Sequence, residues 1–187
     1  MRTTALMAIL ALSACGGTTT PATTDNEIKP EEKAEAPSFS LAWSEYPSWS
    51  AFGVAHEVGL LDGAEGKLGE VEKKWNVDII LKEADYDACI AMYGAGRADG
   101  AALTNMDALA PSAGKRTVGI LPTSTSVGAD ALIVEKGITK IQQLKGKKVY
   151  GLSLTVSEYT FVRNLELLNQ KEKDYSFTNM DPDDAAM

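Results

Sequence analysis

The sequence carries one histidine, His56, and two cysteines, Cys15 and Cys89, among 187 residues. With no second imidazole, a histidine-based metal cage has nothing to build on. Basic residues are scattered and outnumbered, for a formal net charge of -8. Nucleic acid is therefore not an expected partner, since phosphate binding needs concentrated Lys and Arg. The negative charge supports solubility instead. No apolar run reaches the length of a membrane-spanning helix. A Walker-type phosphate loop and a Gly-x-Ser-x-Gly elbow are both missing. Gly94-Ala95-Gly96-Arg97-Ala98-Asp99 starts like a dinucleotide fingerprint but follows a helical pattern and precedes a strand, the reverse of the required order. It reads as a helix stop. Thr123-Ser124-Thr125-Ser126 lacks an evident base to activate a hydroxyl. No enzyme, metal or cofactor is expected from this inventory.

What is present begins at the amino terminus. Arg2 precedes an apolar run over 5–12, and Leu12-Ser13-Ala14-Cys15 closes it with small residues before the cysteine. This resembles a bacterial lipobox. The resemblance implies a lipoprotein signal peptide over 1–14, cleavage before Cys15 and acyl chains on the new terminus. It places the protein in the periplasm or on the cell surface, lipid-anchored to a membrane, because several chains hold far more firmly than one. Residues 16–38 are rich in Gly, Thr, Pro, Ala and charge, with Ile28 as the only large aliphatic before Phe39. Too little apolar surface is available there to offset the entropy of ordering, so 15–38 reads as a lipid-anchored flexible linker. With Cys15 assigned to lipid, Cys89 is left alone and no intrachain disulfide can form. Its helical-looking surroundings suit a small buried hydrophobe.

Beyond the linker, roughly 150 residues are enough for an ordinary core. Short apolar segments at 39–44, 77–81, 99–103, 117–121, 131–134 and 148–152 read as strands. Helical spacing recurs over 49–61, 68–75, 85–93, 106–110 and 157–168, with Gly94 and Gly96 as stops. Alternating strands and helices with short connections predict an α/β fold with a mostly parallel sheet. In such sheets ligands collect where the strands end in loops and helix starts. Trp43, Ser44, Glu45, Tyr46 and Trp49 follow the first strand, and Thr104, Asn105, Met106 and Asp107 follow the third. Rings beside hydroxyl and amide groups suit a small polar molecule, although Ser, Thr and Asn at these places also serve as plain helix caps. His56, midway along the first amphipathic helix, reads as structural or solvent-facing.

Trp43-Ser44-Glu45-Tyr46-Pro47, Gly53-Val54-Ala55-His56-Glu57-Val58-Gly59-Leu60 and Gly100-Ala101-Ala102-Leu103-Thr104-Asn105-Met106-Asp107 occur in this order. Gly128-Ala129-Asp130-Ala131-Leu132-Ile133-Val134 and Ile141-Gln142-Gln143-Leu144-Lys145-Gly146-Lys147-Lys148-Val149 follow, and Asn179-Met180-Asp181-Pro182-Asp183-Asp184 ends the series. The succession resembles the amino-terminal portion of ABC-importer solute-binding proteins of the nitrate, taurine and alkanesulfonate group, which also contains thiamine-pyrimidine binders. The resemblance implies a type II periplasmic-binding-protein-like two-lobed fold that closes on its ligand by a hinge. Lobe one and the start of the hinge would occupy 39–135, and a partial second lobe 136–187. Family members run to about twice this folded length, so an incomplete second lobe is expected.

The resemblance further implies a monomer that reversibly captures a small organic nitrogen or sulfur compound, such as a sulfonate or taurine, nitrate or a pyrimidine. It would deliver that ligand to an ABC permease of the inner membrane. Trp43, Tyr46, Thr104, Asn105, Ser126 and Asp130 are the ligand-binding candidates of lobe one. Thr155 and Ser157 match hydroxyl positions of a Gly-Ser-x-Ser turn in sulfonate-type members, with Leu154 in place of the glycine. Free amides at that helix start would suit an anionic head group. Trp43, Tyr46 and Trp49 could instead stack on a pyrimidine or hold an ammonium group. A surface sensor, a non-binding lipoprotein and a pyrimidine-synthesis enzyme of the same fold remain the alternatives.

Overall fold

The computed structural model describes residues 35–185. The expected signal peptide over 1–14 and residues 15–34 of the expected linker, Cys15 included, lie outside them. In chain order the elements are β1 (Ser38–Trp43), α1 (Ser50–Glu57), α2 (Glu70–Trp75), β2 (Asp78–Glu83), α3 (Tyr86–Gly94) and β3 (Gly100–Ala101). They continue with α4 (Leu109–Ser112), β4 (Lys148–Gly151), α5 (Val156–Leu167), β5 (Ser176–Asn179) and α6 (Pro182–Ala185). This is the α/β class expected from the alternation, and every strand pair described is parallel. No helix among the described residues is long and apolar enough to cross a membrane.

β1 is the centre of a three-stranded sheet in the order β2-β1-β3. Its register sets Trp43 opposite Glu83 and Ala42 opposite Ala101. Successive side chains of a strand point to opposite faces, and β1 uses both. On one face the fully buried Ala42 packs with Cys89 of α3 and with Ala98. On the other, Trp43 packs with Trp49 and Ala102, and α1 approaches so closely that a Cβ on Gly53 would sit 2.7 Å from the Trp43 ring. Only glycine permits that contact. Cys89 is the small buried hydrophobe its surroundings suggest, and burial pushes its thiol up to about 11.

The connection from α1 to β2 is organised by one buried carboxylate. Glu72 is 0 % exposed; its Oε2 accepts from the backbone of Asp62 and Gly69, at 2.7 and 2.6 Å, and its Oε1 from Ile79 at 2.7 Å. Three donors with no other use are thereby satisfied at once, including one at the amino end of α2. A second tie joins β1 to the chain entering β3: Asp99 Oδ2 accepts from Ser40 N at 2.8 Å and Ser40 Oγ at 2.7 Å.

The remaining strands form a separate two-stranded sheet, in which β4 and β5 are joined through α5 as a β-α-β unit. Leu144, Val149, Phe161 and Leu165 make its core, and the ring of Phe161 lies 5.7 Å from that of Phe177.

The strands expected at 117–121 and 131–134 are not there. Lys115 Nζ sits 4.1 Å from the Tyr93 ring centre and donates to Tyr93 O, and Tyr93 Oη donates to Thr117 Oγ1, anchoring the chain after α4 to the end of α3. Past that point Ile120 is 92 % exposed and Ile133 94 %, and neither segment has a ladder partner among the described residues. Residue preference alone does not make a strand; it favours a pleated surface once a neighbour supplies one. The helix expected at 106–110 is also displaced. Thr104 Oγ1 accepts from Asp107 N at 3.1 Å and holds a turn there, and α4 begins at Leu109.

Two outcomes follow. Glu72→Ala leaves three inward-facing donors without an acceptor and should lower the unfolding free energy by about 3 kcal/mol or more in urea denaturation. Asp99 is held below the usual carboxylate range, chiefly by the backbone N–H of Ser40 and next by its hydroxyl. A carboxyl depressed in the folded state contributes stability above its unfolded pKa and loses it as pH falls through the folded value. Wild type should thus exceed Asp99→Asn in urea midpoint at pH 6, with the gap closing as acid is added below the usual carboxylate range of about 4.

Candidate functional site

The carboxyl ends of β1 and β3 carry the richest arrangement of side chains. After Trp43 the chain turns at once. Tyr46 N donates to Ser44 O, and Tyr46 O accepts from Trp49 N and Ser50 N, both at 2.8 Å, and from Ser50 Oγ at 2.9 Å. That carbonyl begins α1 and fixes Tyr46 and Trp49 beside each other. Their ring centres are 5.0 Å apart, and Trp49 stacks on Tyr86 at 5.3 Å with 19° between the planes. Tyr46 and Tyr86 complete the triangle at 6.0 Å. Trp49 is buried, whereas Tyr46 is 45 % exposed and offers its ring to solvent.

Tyr86 joins this cluster to the loop after β3. Its phenol donates to Asp107 Oδ2 at 2.6 Å and accepts from Thr104 N at 3.0 Å, while Thr104 Oγ1 accepts from Asp107 N. Burial first, and then the Asp107 hydrogen bond, push the Tyr86 phenol far above its ordinary pKa. It stays protonated and acts as a fixed donor. Asp107 is itself buried, so a carboxylate with one oxygen committed to Tyr86 lies beneath the aromatic cluster. At the end of β1, Trp43 Nε1 and Ser44 Oγ are buried without a hydrogen-bond partner. Buried polar groups are rarely left so; the other one among the described residues, Asp78 Oδ1, lies at the opposite end of the sheet.

Of the residues expected to bind ligand, Trp43, Tyr46 and Thr104 are brought together here, with Asn105 exposed on the adjoining turn. Tyr86 was missed by sequence reasoning. Its position just after β2 marked it, because strand ends converge in a parallel sheet, but its bond to Asp107 spans 21 residues and is invisible locally. Ser126 and Asp130 are not part of the cluster. They pair with each other, Oγ donating to Oδ2 at 2.7 Å, in an exposed stretch.

Thr155 and Ser157 lie at the start of α5, and the free amides expected there are largely taken. Thr155 Oγ1 accepts from Ser157 N at 3.3 Å and donates to Leu152 O at 2.7 Å; Leu154 N donates to Glu158 Oε2 at 2.7 Å and Ser153 N to Asn179 Oδ1 at 2.8 Å. The acidic Glu158 in the first turn takes the place an anionic head group would occupy. Leu154 adopts φ +60, a left-handed conformation natural to glycine.

Among the described residues no group of three or more His, Cys, Asp or Glu side chains is placed to hold a metal ion. In comparisons with known proteins, neither a family model nor a curated protein matches this sequence.

Leu154 is 91 % exposed, so little packing is lost by removing its side chain. Leu154→Gly should raise the unfolding free energy by about 0.5–1 kcal/mol, relief of left-handed strain outweighing the greater freedom of unfolded glycine. Calorimetric melting of the two forms measures it.

Proposed function

We propose that this chain is the lipid-anchored solute-binding component of an ABC importer. In this reading residues 39–135 are lobe one with the start of the hinge, and 136–187 belong to lobe two of a two-lobed periplasmic-binding-protein fold. The anchor on Cys15 keeps the binding domain close to the permease that receives its cargo. Binding is reversible and non-covalent.

The observation that carries the reading is the convergence of Tyr46, Trp49, Tyr86, Thr104 and Asp107 at the carboxyl ends of parallel strands, beside the orphaned Ser44 hydroxyl. Open parallel sheets bind small molecules at that edge. The half-exposed Tyr46 ring offers a face on which a pyrimidine stacks or an ammonium group rests, worth about 0.5–2 kcal/mol. Asp107 below the rings and Glu45 on the same loop repel a bare anion. A zwitterion such as taurine, or a pyrimidine with donors of its own, therefore fits better than nitrate. The self-capped start of α5 favours the same choice, since its amides already serve Thr155 and Glu158.

Thermal melting of the full chain with taurine, nitrate and cytosine tests this. At hundredfold excess over a micromolar dissociation constant, linkage stabilises by about 2.7 kcal/mol. Taurine or cytosine should raise the melting temperature, and Tyr46→Ala should remove most of the rise. A melting temperature unmoved by all three defeats the reading for these ligand classes.

A further inference from the structure

Residues 118–137 are exposed without a break, twenty in succession. Such a run is ordinary for a solvated linker, but its composition is not that of one. Val118, Ile120, Leu121, Leu132, Ile133 and Val134 lie within it, and from 117 to 134 Asp130 is the single charge, in a chain that is 24% charged. Soluble surfaces seldom carry so much contiguous apolar area unless something covers it. The backbone is equally bare. Among the described residues no backbone N–H or carbonyl between Arg116 and Val134 takes part in a backbone hydrogen bond. The segments 116–121 and 130–135 therefore present β-branched side chains and unpaired ladder groups together, the combination that templates strand pairing.

The two segments are complementary to each other. Set antiparallel with Arg116 opposite Glu135, they bring Val118 opposite Ile133 and Ile120 opposite Ala131, so that Ile120 and Ile133 share one face. Pro122, with no N–H to give, ends the first segment. Within one chain the two are not paired, and a lone two-stranded ribbon with its apolar face bare is marginal at best. A second copy supplies what is missing. About a two-fold axis, 116–121 of each copy meets 130–135 of the other, so both pairings form at once, the assembly closes, and each ribbon has a second apolar face to pack on. Charge permits the approach here: the chain carries -8 overall, but 116–136 holds two positive and two negative residues. Twenty exposed residues from each copy is also the scale of a stable interface, about 20–30 a side. We propose that 116–121 and 130–135 are the pairing strands of a two-fold homodimer of this chain, each adding antiparallel to the other segment of the second copy. This departs from the monomer that the resemblance implies, and it uses no residue of the aromatic cluster, so it does not rest on the ligand reading.

Sedimentation equilibrium of the full chain, with far-ultraviolet circular dichroism on the same dilution series, tests the proposal. The mass should rise from the 19.9 kDa of one chain to twice that, with a dissociation constant of about 10 μM or tighter, and strand signal should grow along the same curve. Ile120 and Ile133 stand in solvent in the single chain, so Ile120→Lys/Ile133→Lys should fold normally and weaken association about hundredfold or more. Arg116→Glu sets like charges opposite each other and should weaken it about fivefold, and Arg116→Glu/Glu135→Arg should restore it. Tyr46→Ala should leave it unchanged. The mass of one chain at every concentration, growth beyond two copies, or association without a gain of strand signal would overturn the proposal. So would full association in Ile120→Lys/Ile133→Lys, or a charge exchange that fails to restore pairing.

Discussion

Everything at the candidate site depends on β1 lying between two parallel neighbours. Parallel pairing brings the ends of all three strands to one edge, so the loops after Trp43, Glu83 and Ala101 must meet there. Tyr46 and Trp49 arrive from the first, Tyr86 from the second, and Thr104 and Asp107 from the third. An antiparallel partner would have sent one of those loops to the opposite edge. The small, buried Ala42 packs against Cys89 of α3 on one face of β1, and Gly53 lets α1 approach Trp43 on the other.

Buried polar groups mark which parts of this arrangement are scaffold. Glu72 spends both oxygens on three backbone donors, and the Tyr86, Asp107 and Thr104 ring of hydrogen bonds closes on itself. Such fully satisfied networks fix geometry. Trp43 Nε1 and Ser44 Oγ, adjacent in sequence but on opposite faces of the strand's end, remain unsatisfied. The satisfied networks hold the sheet and its loops in place, whereas these two orphans lie at the strand end beside the aromatic cluster.

Much of the fold was legible in the sequence, and its limits have a common cause. β1, β2, α3, β4 and α5 carry both the residue pattern and a partner to pack against, and they form close to where the pattern puts them. Val118, Ile120, Leu132 and Ile133 carry the pattern alone and remain exposed. At the site, Trp43, Tyr46 and Thr104 were marked by their places at strand ends, which the topology fixes. Ser126 with Asp130, and Thr155 with Ser157, were marked by polar character, and both pairs satisfy each other locally. Tyr86 lay hidden because its significance comes from contacts far along the chain.

The most direct test follows the backbone amides of the full chain by nuclear magnetic resonance during separate titrations with taurine, nitrate and cytosine. If the strand-end cluster is the binding surface, taurine or cytosine shifts resonances of residues 44–49, 86 and 104–107 together along one saturation curve. Shifts confined to residues 153–158, or no shift with any of the three, would contradict it.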